Sequence, residues 1–207
     1  MPVHLVDHPL VHDALVDLRD KRTTVEHFRR AAARISVLLA AEALREVPST
    51  SVTVETPLGP APGWTISPDI VVVPVLRAGL GMLDAVLELA PRARVGHIGL
   101  QRDERTAVAS QYYAKLPANL ASSFVLMIDP MLATGGSALA ALDLLAQAGA
   151  TSVRVVCIVA APEGIAAVAR CHPEASIYTP AVDRGLDERN FIVPGLGDFG
   201  DRLYGTV

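Results

Sequence analysis

Short apolar runs alternate along this chain with longer segments of helical spacing. The run Ile70–Val75 is rich in β-branched residues, and the run Phe124–Ile128 is continuously apolar. Both patterns are typical of strands that are covered on both faces of a parallel sheet. Further strands are predicted at Val95–Leu100, Val153–Ala160 and Ala175–Tyr178.

Helical patterns separate most of these runs. Thr23 and Glu26 form a capping-box pattern before an alanine-rich segment that ends near Glu46. Gly79–Leu89 predicts a second helix, and leucines at a spacing of three predict another that begins near Ser137. The alternation predicts an α/β fold with a mostly parallel sheet flanked by helices, and a ligand site beyond the carboxyl ends of its strands.

Two long intervals interrupt the alternation. Pro57–Pro68 is rich in Pro and Gly and predicts a loop. Leu100–Pro117 is polar and predicts a protruding hairpin or loop, because loops of more than about 12 to 15 residues are often lids or binding segments. Arg102 at its base is placed to reach a phosphate, whereas a solvated hairpin between subunits is an equally good interpretation of the remainder.

Composition limits the class of protein. With 207 residues, 51% of them hydrophobic, we expect one domain over residues 1–207. The net charge of −4 argues against nucleic acid and membrane surfaces and favours a small-molecule partner. We expect a soluble, cytoplasmic protein, because no signal peptide or run of roughly 20 apolar residues occurs. Cys157 and Cys171 support neither a disulfide framework nor a metal site.

A candidate phosphate site follows the strand Phe124–Ile128. Gly135 and Gly136 permit backbone N–H groups to converge on one point, and the next helix directs its positive end there. Thr134 and Ser137 can add hydroxyl donors. Asp129 would repel a lone phosphate, so we expect it to address sugar hydroxyls or hydrated Mg²⁺, as a ribose 5-phosphate would require. An ordinary helix-capping aspartate is the alternative.

Two common nucleotide motifs do not fit. The loop ATGGSA lacks the lysine of a P-loop. A literal G-x-G-x-x-G occurs at Gly195, Gly197 and Gly200, but it follows the last predicted strand, and we expect no useful helix in the seven residues after it. It is therefore not interpreted as a dinucleotide fingerprint.

Arg77 lies among small residues in PVLRAGLG, directly after the strand Ile70–Val75. It is expected at the same end of the sheet as Asp129. A guanidinium beside loop N–H groups suits a diphosphate, although a surface ion pair is the common alternative.

The segment Phe191–Arg202, FIVPGLGDFGDR, exposes its backbone through Gly and Pro. Main-chain N–H and C=O groups can match the acceptor, donor, acceptor edge of uracil and reject cytosine. Asp198 and Asp201 are interpreted either as groups near a metal-bound ribose or as turn caps. Phe199 is either a wall against a base or part of the core.

The chain as a whole resembles the uracil phosphoribosyltransferases. The resemblance is carried by HPLV, LRDKRT, ETP, PVLRAGLGM, YYAKLP, DPMLATGGSA, VAAPEGI and PGLGDFGDRLYGT, which span nearly the full length. It implies a type I phosphoribosyltransferase fold. It also implies transfer of phosphoribose from 5-phosphoribosyl 1-diphosphate (PRPP) to uracil, giving UMP and pyrophosphate with Mg²⁺ present.

The resemblance also assigns roles to individual residues. Asp129, Arg102 and Asp198 are implied to be catalytic, and the backbone of Ile192, Gly197, Asp198 and Phe199 is implied to bind uracil. Related enzymes keep two adjacent acids before the phosphate loop, but Ile128 stands at the first position here, so no direct metal ligand is implied. The implied PRPP contacts are Arg77, Arg102, Asp129, Pro130, Met131, Leu132, Ala133, Thr134, Gly135, Gly136, Ser137 and Asp198.

Further partners and alternatives follow from the same resemblance. It implies a homodimer or higher homo-oligomer and a GTP effector. A regulatory RNA-binding relative is the competing class, because basic residues cluster at Arg19, Lys21, Arg22, Arg29 and Arg30. A purine-specific transferase is the alternative within the enzyme class.

Overall fold

The computed structural model describes residues 2–102 and 109–206, with the backbone alone at Arg102 and Ala109. Its strands are β1 (Val3–Leu5), β2 (Ser49–Thr56), β3 (Gly59–Ile66), β4 (Ile70–Leu76), β5 (Arg94–Val95), β6 (His97–Arg102), β7 (Ala109–Lys115), β8 (Phe124–Ile128), β9 (Met131–Leu132), β10 (Val153–Val156), β11 (Val159–Ala160), β12 (Ser176–Thr179), β13 (Gly185–Leu186) and β14 (Ile192–Val193). Its α-helices are α1 (Pro9–Arg19), α2 (Val25–Ala43), α3 (Leu80–Leu89), α4 (Gly136–Gln147), α5 (Pro162–Cys171) and α6 (Phe199–Tyr204).

The main sheet has the strand order β1-β12-β10-β8-β4-β6-β7, and β5 also pairs with β4. Its pairs are parallel except for β6 and β7. Val73 is opposite Met127 and Pro74 is opposite Ile128, so β4 and β8 end at the same edge. The predicted α/β fold is confirmed. The predicted polar excursion Leu100–Pro117 covers the end of β6 and all of β7, which pair as an antiparallel hairpin.

Side chains alternate between the two faces of the sheet and form a core on each. Ile70 and Val72 of β4 pack on the side of α1, α2, α3 and α6. Val71 and Val73 pack on the opposite side with α4 and α5. Both faces of β4 and β8 are therefore buried, which explains their unbroken apolar sequences.

The prediction of a loop over Pro57–Pro68 is wrong. Gly59–Ile66 forms β3, which pairs with β2 in an antiparallel hairpin that includes Pro60 and Pro62. Both strands of a two-stranded hairpin are edge strands. Proline lacks a backbone N–H, but on the outer side of an edge strand that group would face solvent, so no hydrogen bond of the ladder is lost. The high Pro and Gly content predicts a loop. Proline is excluded only from central strands, however, so this content is also compatible with an edge strand.

Three smaller expectations also need correction. Thr24, not Thr23, caps α2, because its hydroxyl accepts from the His27 N–H. The strand predicted at Val153–Ala160 is divided, because the N–H groups of Ile158 and Val159 donate to the Pro130 carbonyl and carry β11 out of the main sheet. The short helix α6 follows Gly197, although no βαβ unit surrounds it.

Candidate active site

A cavity of about 390 Å³ lies at the carboxyl ends of β4 and β8. The ends of these strands, the start of α4 and the segment before α6 form its walls. This is the edge where parallel α/β sheets bind ligands. The lining residues are Val75, Leu76, Arg77, Ala78, Leu100, Asp129, Met131, Ala133, Ser137, Arg189, Asn190, Phe191, Ile192, Gly197, Asp198, Phe199 and Gly200.

The loop between β8 and α4 forms one wall of the cavity. Gly135 has φ +87° and is the N-cap of α4, a conformation that glycine adopts without steric cost. A Cβ at Gly135 would also lie 3.0 Å from the Ala167 Cβ. Asp129, Met131, Ala133 and Ser137 line the cavity, whereas the other predicted phosphate-loop residues form its frame: Pro130, Leu132, Thr134, Gly135 and Gly136.

The frame of this loop is held by backbone pairing. Met131 and Leu132 form β9, which pairs with β11. The Met131 N–H donates to Asp129 Oδ1 at 3.5 Å, and the Gly136 N–H donates to Thr134 Oγ1 at 3.4 Å. Asp129 is half-buried at the strand end. The positive end of α4 and the carboxylate therefore belong to the same cavity, as predicted.

Arg77 stands at the end of β4, and its side chain is 65% exposed. Its guanidinium lies 3.9 Å from Asp201 Oδ1, and its backbone carbonyl accepts from the Tyr204 hydroxyl at 3.3 Å. Gly79 lets this turn approach β8, because a Cβ there would lie 2.5 Å from the Ile128 carbonyl oxygen. Arg77 and Asp129 line the same cavity at the same end of the sheet, as predicted, while the Arg102 side chain lies outside the described residues.

The segment before α6 forms the opposite wall. Asp198 Oδ1 accepts from the Asp201 N–H at 2.9 Å, so Asp198 caps α6 while it also lines the cavity. Phe199 is 1% exposed and meets the Phe28 ring edge-on at a centroid distance of 5.2 Å. Of the two interpretations of Phe199, the core contact therefore accounts for most of its side chain.

Buried charges tie this wall to α1. The Arg19 guanidinium makes two hydrogen bonds to Asp183, at 2.7 and 2.9 Å, and a third to the Gly195 carbonyl. The Gly195 N–H donates to Asp183 Oδ2 at 2.8 Å. Burial alone would raise the pKa of Asp183, but these hydrogen bonds and the Arg19 charge outweigh it and hold the pKa below its ordinary value.

Arg202 of α6 makes a second anchor. It donates to the backbone carbonyls of Leu18, Leu196 and Asp20, and its guanidinium lies 4.5 Å from the centre of the Phe28 ring. Burial lowers the pKa of Arg202 from its ordinary value. These contacts fix the terminal segment, residues 195–204, against α1 and α2. The sequence pattern alone gave no sign of them.

Two lining residues, Arg189 and Asn190, lie outside every segment that the sequence pattern indicated, and Phe191 begins one such segment but was assigned no role of its own. They form the turn between β13 and β14. The local signals for this turn are Asn190, which tolerates a left-handed conformation, and Asp187, whose carboxylate accepts from the N–H groups of Arg189 and Phe191. An aspartate that bonds to backbone two residues ahead is a common turn former.

The cavity offers two carboxylates to a cation, Asp129 and Asp198. Within residues 2–102 and 109–206, no group of three or more His, Cys, Asp or Glu side chains is arranged to hold a metal ion. Mg²⁺ commonly keeps several waters and is held by one or two carboxylates together with substrate phosphates. The donor set therefore fits Mg²⁺ that binds together with a phosphorylated substrate.

The fold defines a class of protein. A hypoxanthine-guanine phosphoribosyltransferase from Bacillus anthracis superimposes with a TM-score of 0.51, covering 77% of this chain and 80% of its own, at 11% identity. At that identity the likeness concerns the fold alone. The chain has the type I phosphoribosyltransferase fold.

The family follows from closer relatives. The family profile described as uracil phosphoribosyltransferase matches residues 5–206. Uracil phosphoribosyltransferases from Halalkalibacterium halodurans and Rhodococcus opacus are 48% and 49% identical to this chain, each covering 99% of it and 98% of the relative. The AQ2163 protein from Aquifex aeolicus superimposes with a TM-score of 0.93 at 35% identity, covering 98% of this chain and 97% of its own. The chain belongs to the uracil phosphoribosyltransferase family.

In the described part of the chain, no helix is both long enough and apolar enough to cross a bilayer.

Proposed function

We propose that this chain transfers the phosphoribosyl group of PRPP to uracil, giving UMP and pyrophosphate in pyrimidine salvage. The observation that supports this most directly is the single cavity that joins Arg77, the Asp129–Ser137 loop and the Gly197–Phe199 segment. A diphosphate, a ribose 5-phosphate and a base can each find suitable groups on one of its walls. We further propose that residues 1–207 form one domain, since the family match extends over residues 5–206.

The phosphate-loop wall binds the ribose 5-phosphate in this proposal. Loop N–H groups between Asp129 and Ser137 and the positive end of α4 attract the phosphate. Hydroxyls of Thr134 and Ser137 add donors, while Pro130, Met131, Leu132, Ala133, Gly135 and Gly136 shape the loop. Asp129 accepts hydrogen bonds from the ribose hydroxyls.

Arg77 and Arg102 bind the diphosphate. Arg77 follows β4 and Arg102 ends β6, and these parallel strands end at the same edge of the sheet. A guanidinium can bind phosphate oxygens through two parallel hydrogen bonds. Mg²⁺, held by substrate phosphates, water and the carboxylates of Asp129 or Asp198, would supply positive charge to the departing diphosphate.

Uracil is recognised by main-chain groups of Ile192 and Gly197–Phe199. Gly195 has φ +57°, and a Cβ there would lie 2.1 Å from the Ile192 carbonyl oxygen, so the turn needs glycine. A fixed backbone that pairs with O2, N3–H and O4 leaves buried groups unpaired when cytosine binds instead. This supports selection of uracil without a charged side chain.

Bond changes at the anomeric carbon complete the proposal. The bond from C1 to the diphosphate oxygen breaks, a bond from C1 to uracil N1 forms, and the N1 proton is released. Positive charge develops on the ribose while negative charge develops on the diphosphate. Asp129 and Asp198 stabilise the first, and Arg77 and Arg102 stabilise the second.

The test is chromatographic detection of nucleotides from PRPP and Mg²⁺ with uracil, cytosine, hypoxanthine or guanine in parallel. We expect UMP alone, and loss of product when the divalent cation is chelated. Product from a purine would support the purine transferase instead. If a folded protein gives no nucleotide with any base, the regulatory relative becomes the better hypothesis, and salt-sensitive RNA retention is measured next.

We propose that the protein self-associates as a homodimer or higher homo-oligomer through the β2–β3 hairpin. The hairpin exposes four large apolar side chains, and Leu58 and Trp64 are 100% and 76% exposed. Clustered apolar surface of this kind commonly marks a protein interface. The other two exposed residues are Val54 and Ile66.

We propose GTP as an effector and the cytoplasm as the location. A second cavity of about 330 Å³ between α1 and α2 is lined by Asp17, His27, Arg30 and Arg34 among others. Arg30 pairs with Glu26 and Arg34 with Asp13 and Asp17, so a phosphorylated effector would bind these guanidinium groups by replacing the carboxylates. Both cysteines are unpaired, as is usual in a reducing compartment. Rates with and without GTP, in the unmodified protein and in Arg30→Ala, test the effector proposal.

A further inference from the structure

The β13–β14 hairpin carries the base-side wall of the cavity, yet its strands are only two residues long each. A backbone ladder of that length does little to hold a hairpin in water. At the end of the hairpin that is away from the turn, Asp183 accepts from the Gly195 N–H and from Arg19. Something else must organise the turn itself at residues 187–191.

Asp187 performs that task. Its Oδ1 accepts from the Arg189 N–H at 2.9 Å and from the Phe191 N–H at 2.8 Å. The Asp187 backbone N–H donates to the Phe191 carbonyl at 2.9 Å, and the Asn190 N–H donates to the Asp187 carbonyl at 3.0 Å. Asn190 has φ 64°, a left-handed conformation that asparagine tolerates better than most residues.

The turn determines which groups face the base. Arg189, Asn190 and Phe191 line the cavity and lead directly into Ile192, whereas Asp187 does not line it. Phe191 is 45% exposed although it lines the cavity, so it presents an apolar ring surface that a flat base can cover. The side chain of Asp187 therefore acts on the cavity only through the turn that it builds.

We propose that Asp187 is a positioning residue for uracil binding, acting through the turn that sets Arg189 and Phe191 beside the base. This inference rests on the proposed function, because it assigns the base to this wall. The required property of Asp187 is an acceptor oxygen at Oδ1 and not its charge. Asparagine keeps that oxygen and alanine removes it.

Steady-state kinetics separate these variants. We expect Asp187→Ala to raise KM for uracil roughly tenfold, which corresponds to two hydrogen bonds of modest strength. KM for PRPP and kcat should change less than twofold. Asp187→Asn should restore the uracil KM of the unmodified protein. Glu188→Ala, an exposed acid in the same turn that does not line the cavity, is the matched control and should leave all constants unchanged.

Amide hydrogen exchange tests whether Asp187 holds the turn, without relying on activity. Exchange at Arg189 and Phe191 should accelerate at least tenfold in Asp187→Ala and should not change in Asp187→Asn. Asn190→Val strains the same turn while leaving Asp187 in place, so it should also raise KM for uracil. It replaces Asp187→Ala if that variant does not fold.

The outcomes distinguish the two proposals. An unchanged uracil KM in Asp187→Ala, an equal rise in the PRPP KM, or failure of Asp187→Asn to rescue would each overturn the positioning role. Absence of UMP formation by the unmodified protein would overturn the proposed function and with it the assignment to uracil. Amide exchange would then still decide whether Asp187 holds the turn.

Discussion

Charged side chains of both signs meet in the cavity. Arg77 and Arg189 face the same space as Asp129 and Asp198. Arg77 and Asp129 were predicted because each follows an apolar strand, and strand ends of a parallel sheet share an edge. Arg189 was not predicted, because it lies in a turn whose position depends on hydrogen bonds of Asp187.

Asp129→Asn should reduce kcat roughly 100-fold, because a neutral amide cannot stabilise positive charge on the ribose as a carboxylate does. Turnover and thermal unfolding are measured together. The exposed Asp84→Asn on α3 is the matched control and should retain full turnover. A normal rate in folded Asp129→Asn would remove Asp129 from the catalytic groups.

The two cysteines should differ in reactivity. Burial raises the pKa of Cys157 to about 12, and the charge of Asp129 adds to this effect, whereas Cys171 is exposed. Because the thiolate is the reactive form, a disulfide reagent at pH 8 should modify one thiol in the native protein and two in denaturant. Cys171→Ser should abolish the native reaction. Rapid modification of two native thiols would contradict the burial of Cys157.

At the level of elements, sequence patterns predicted the strands and loops whose conformation depends mainly on neighbouring residues. The apolar sequences of β4 and β8 and the glycine loop before α4 behave as predicted. The β2–β3 hairpin was missed because prolines in an edge strand resemble those of a loop. The N-cap of α2 lies one residue later than predicted, because adjacent threonines offer equivalent hydroxyls and only the backbone geometry selects Thr24.

The ion pair between Arg19 of α1 and Asp183 should make the free energy of unfolding depend on pH. The folded state lowers the pKa of Asp183, so its contribution is complete above the unfolded value of about 3.8 and is lost as the pH falls through the folded value. Asp183→Asn should cost about 1.5–3 kcal/mol at pH 7. It should also flatten the fall in unfolding free energy below about pH 4.

Denaturant unfolding at several pH values measures both effects. Asp187→Asn is the control, because this exposed acid belongs to the same hairpin but does not pair with Arg19. An acid dependence in Asp183→Asn identical to that of the unmodified protein would contradict the role of the Arg19 pair.

At the level of the whole molecule, the basic cluster near the N-terminus is largely engaged with the protein itself. Arg19 pairs with Asp183, Arg22 with Asp20 and Arg30 with Glu26, while Arg29 donates to the Leu203 carbonyl. The three ion pairs reduce the positive charge that the cluster could offer to RNA, and the Arg29 hydrogen bond holds its guanidinium against the protein. Membership of the uracil phosphoribosyltransferase family agrees with the enzyme and not with that alternative.

Self-association should be visible through Trp64, which is the only tryptophan in the chain and lies on the β2–β3 hairpin. If a second copy covers the hairpin, tryptophan emission should move to shorter wavelength as protein concentration rises. Ile66→Asp should raise the dimer dissociation constant at least about tenfold, because a charge in an apolar interface is costly.

Sedimentation measures this change, and Val16→Asp on the exposed face of α1 is the control. An oligomer of unchanged stability in Ile66→Asp would exclude the hairpin as the interface. A concentration-independent monomer would exclude self-association altogether.

The sequence by itself determined the α/β class, because periodicity depends on nearby residues, and it indicated the family through motifs that span nearly the full length. It also predicted the glycine loop between β8 and α4, because the conformation of that loop depends on the backbone properties of nearby residues. Only the tertiary structure decided how the terminal segment closes the cavity. That closure depends on Arg19 with Asp183 and on Arg202 with the carbonyls of Leu18 and Asp20, pairs separated by more than 160 residues. Such contacts leave no local pattern, because their geometry exists only after the sheet has assembled.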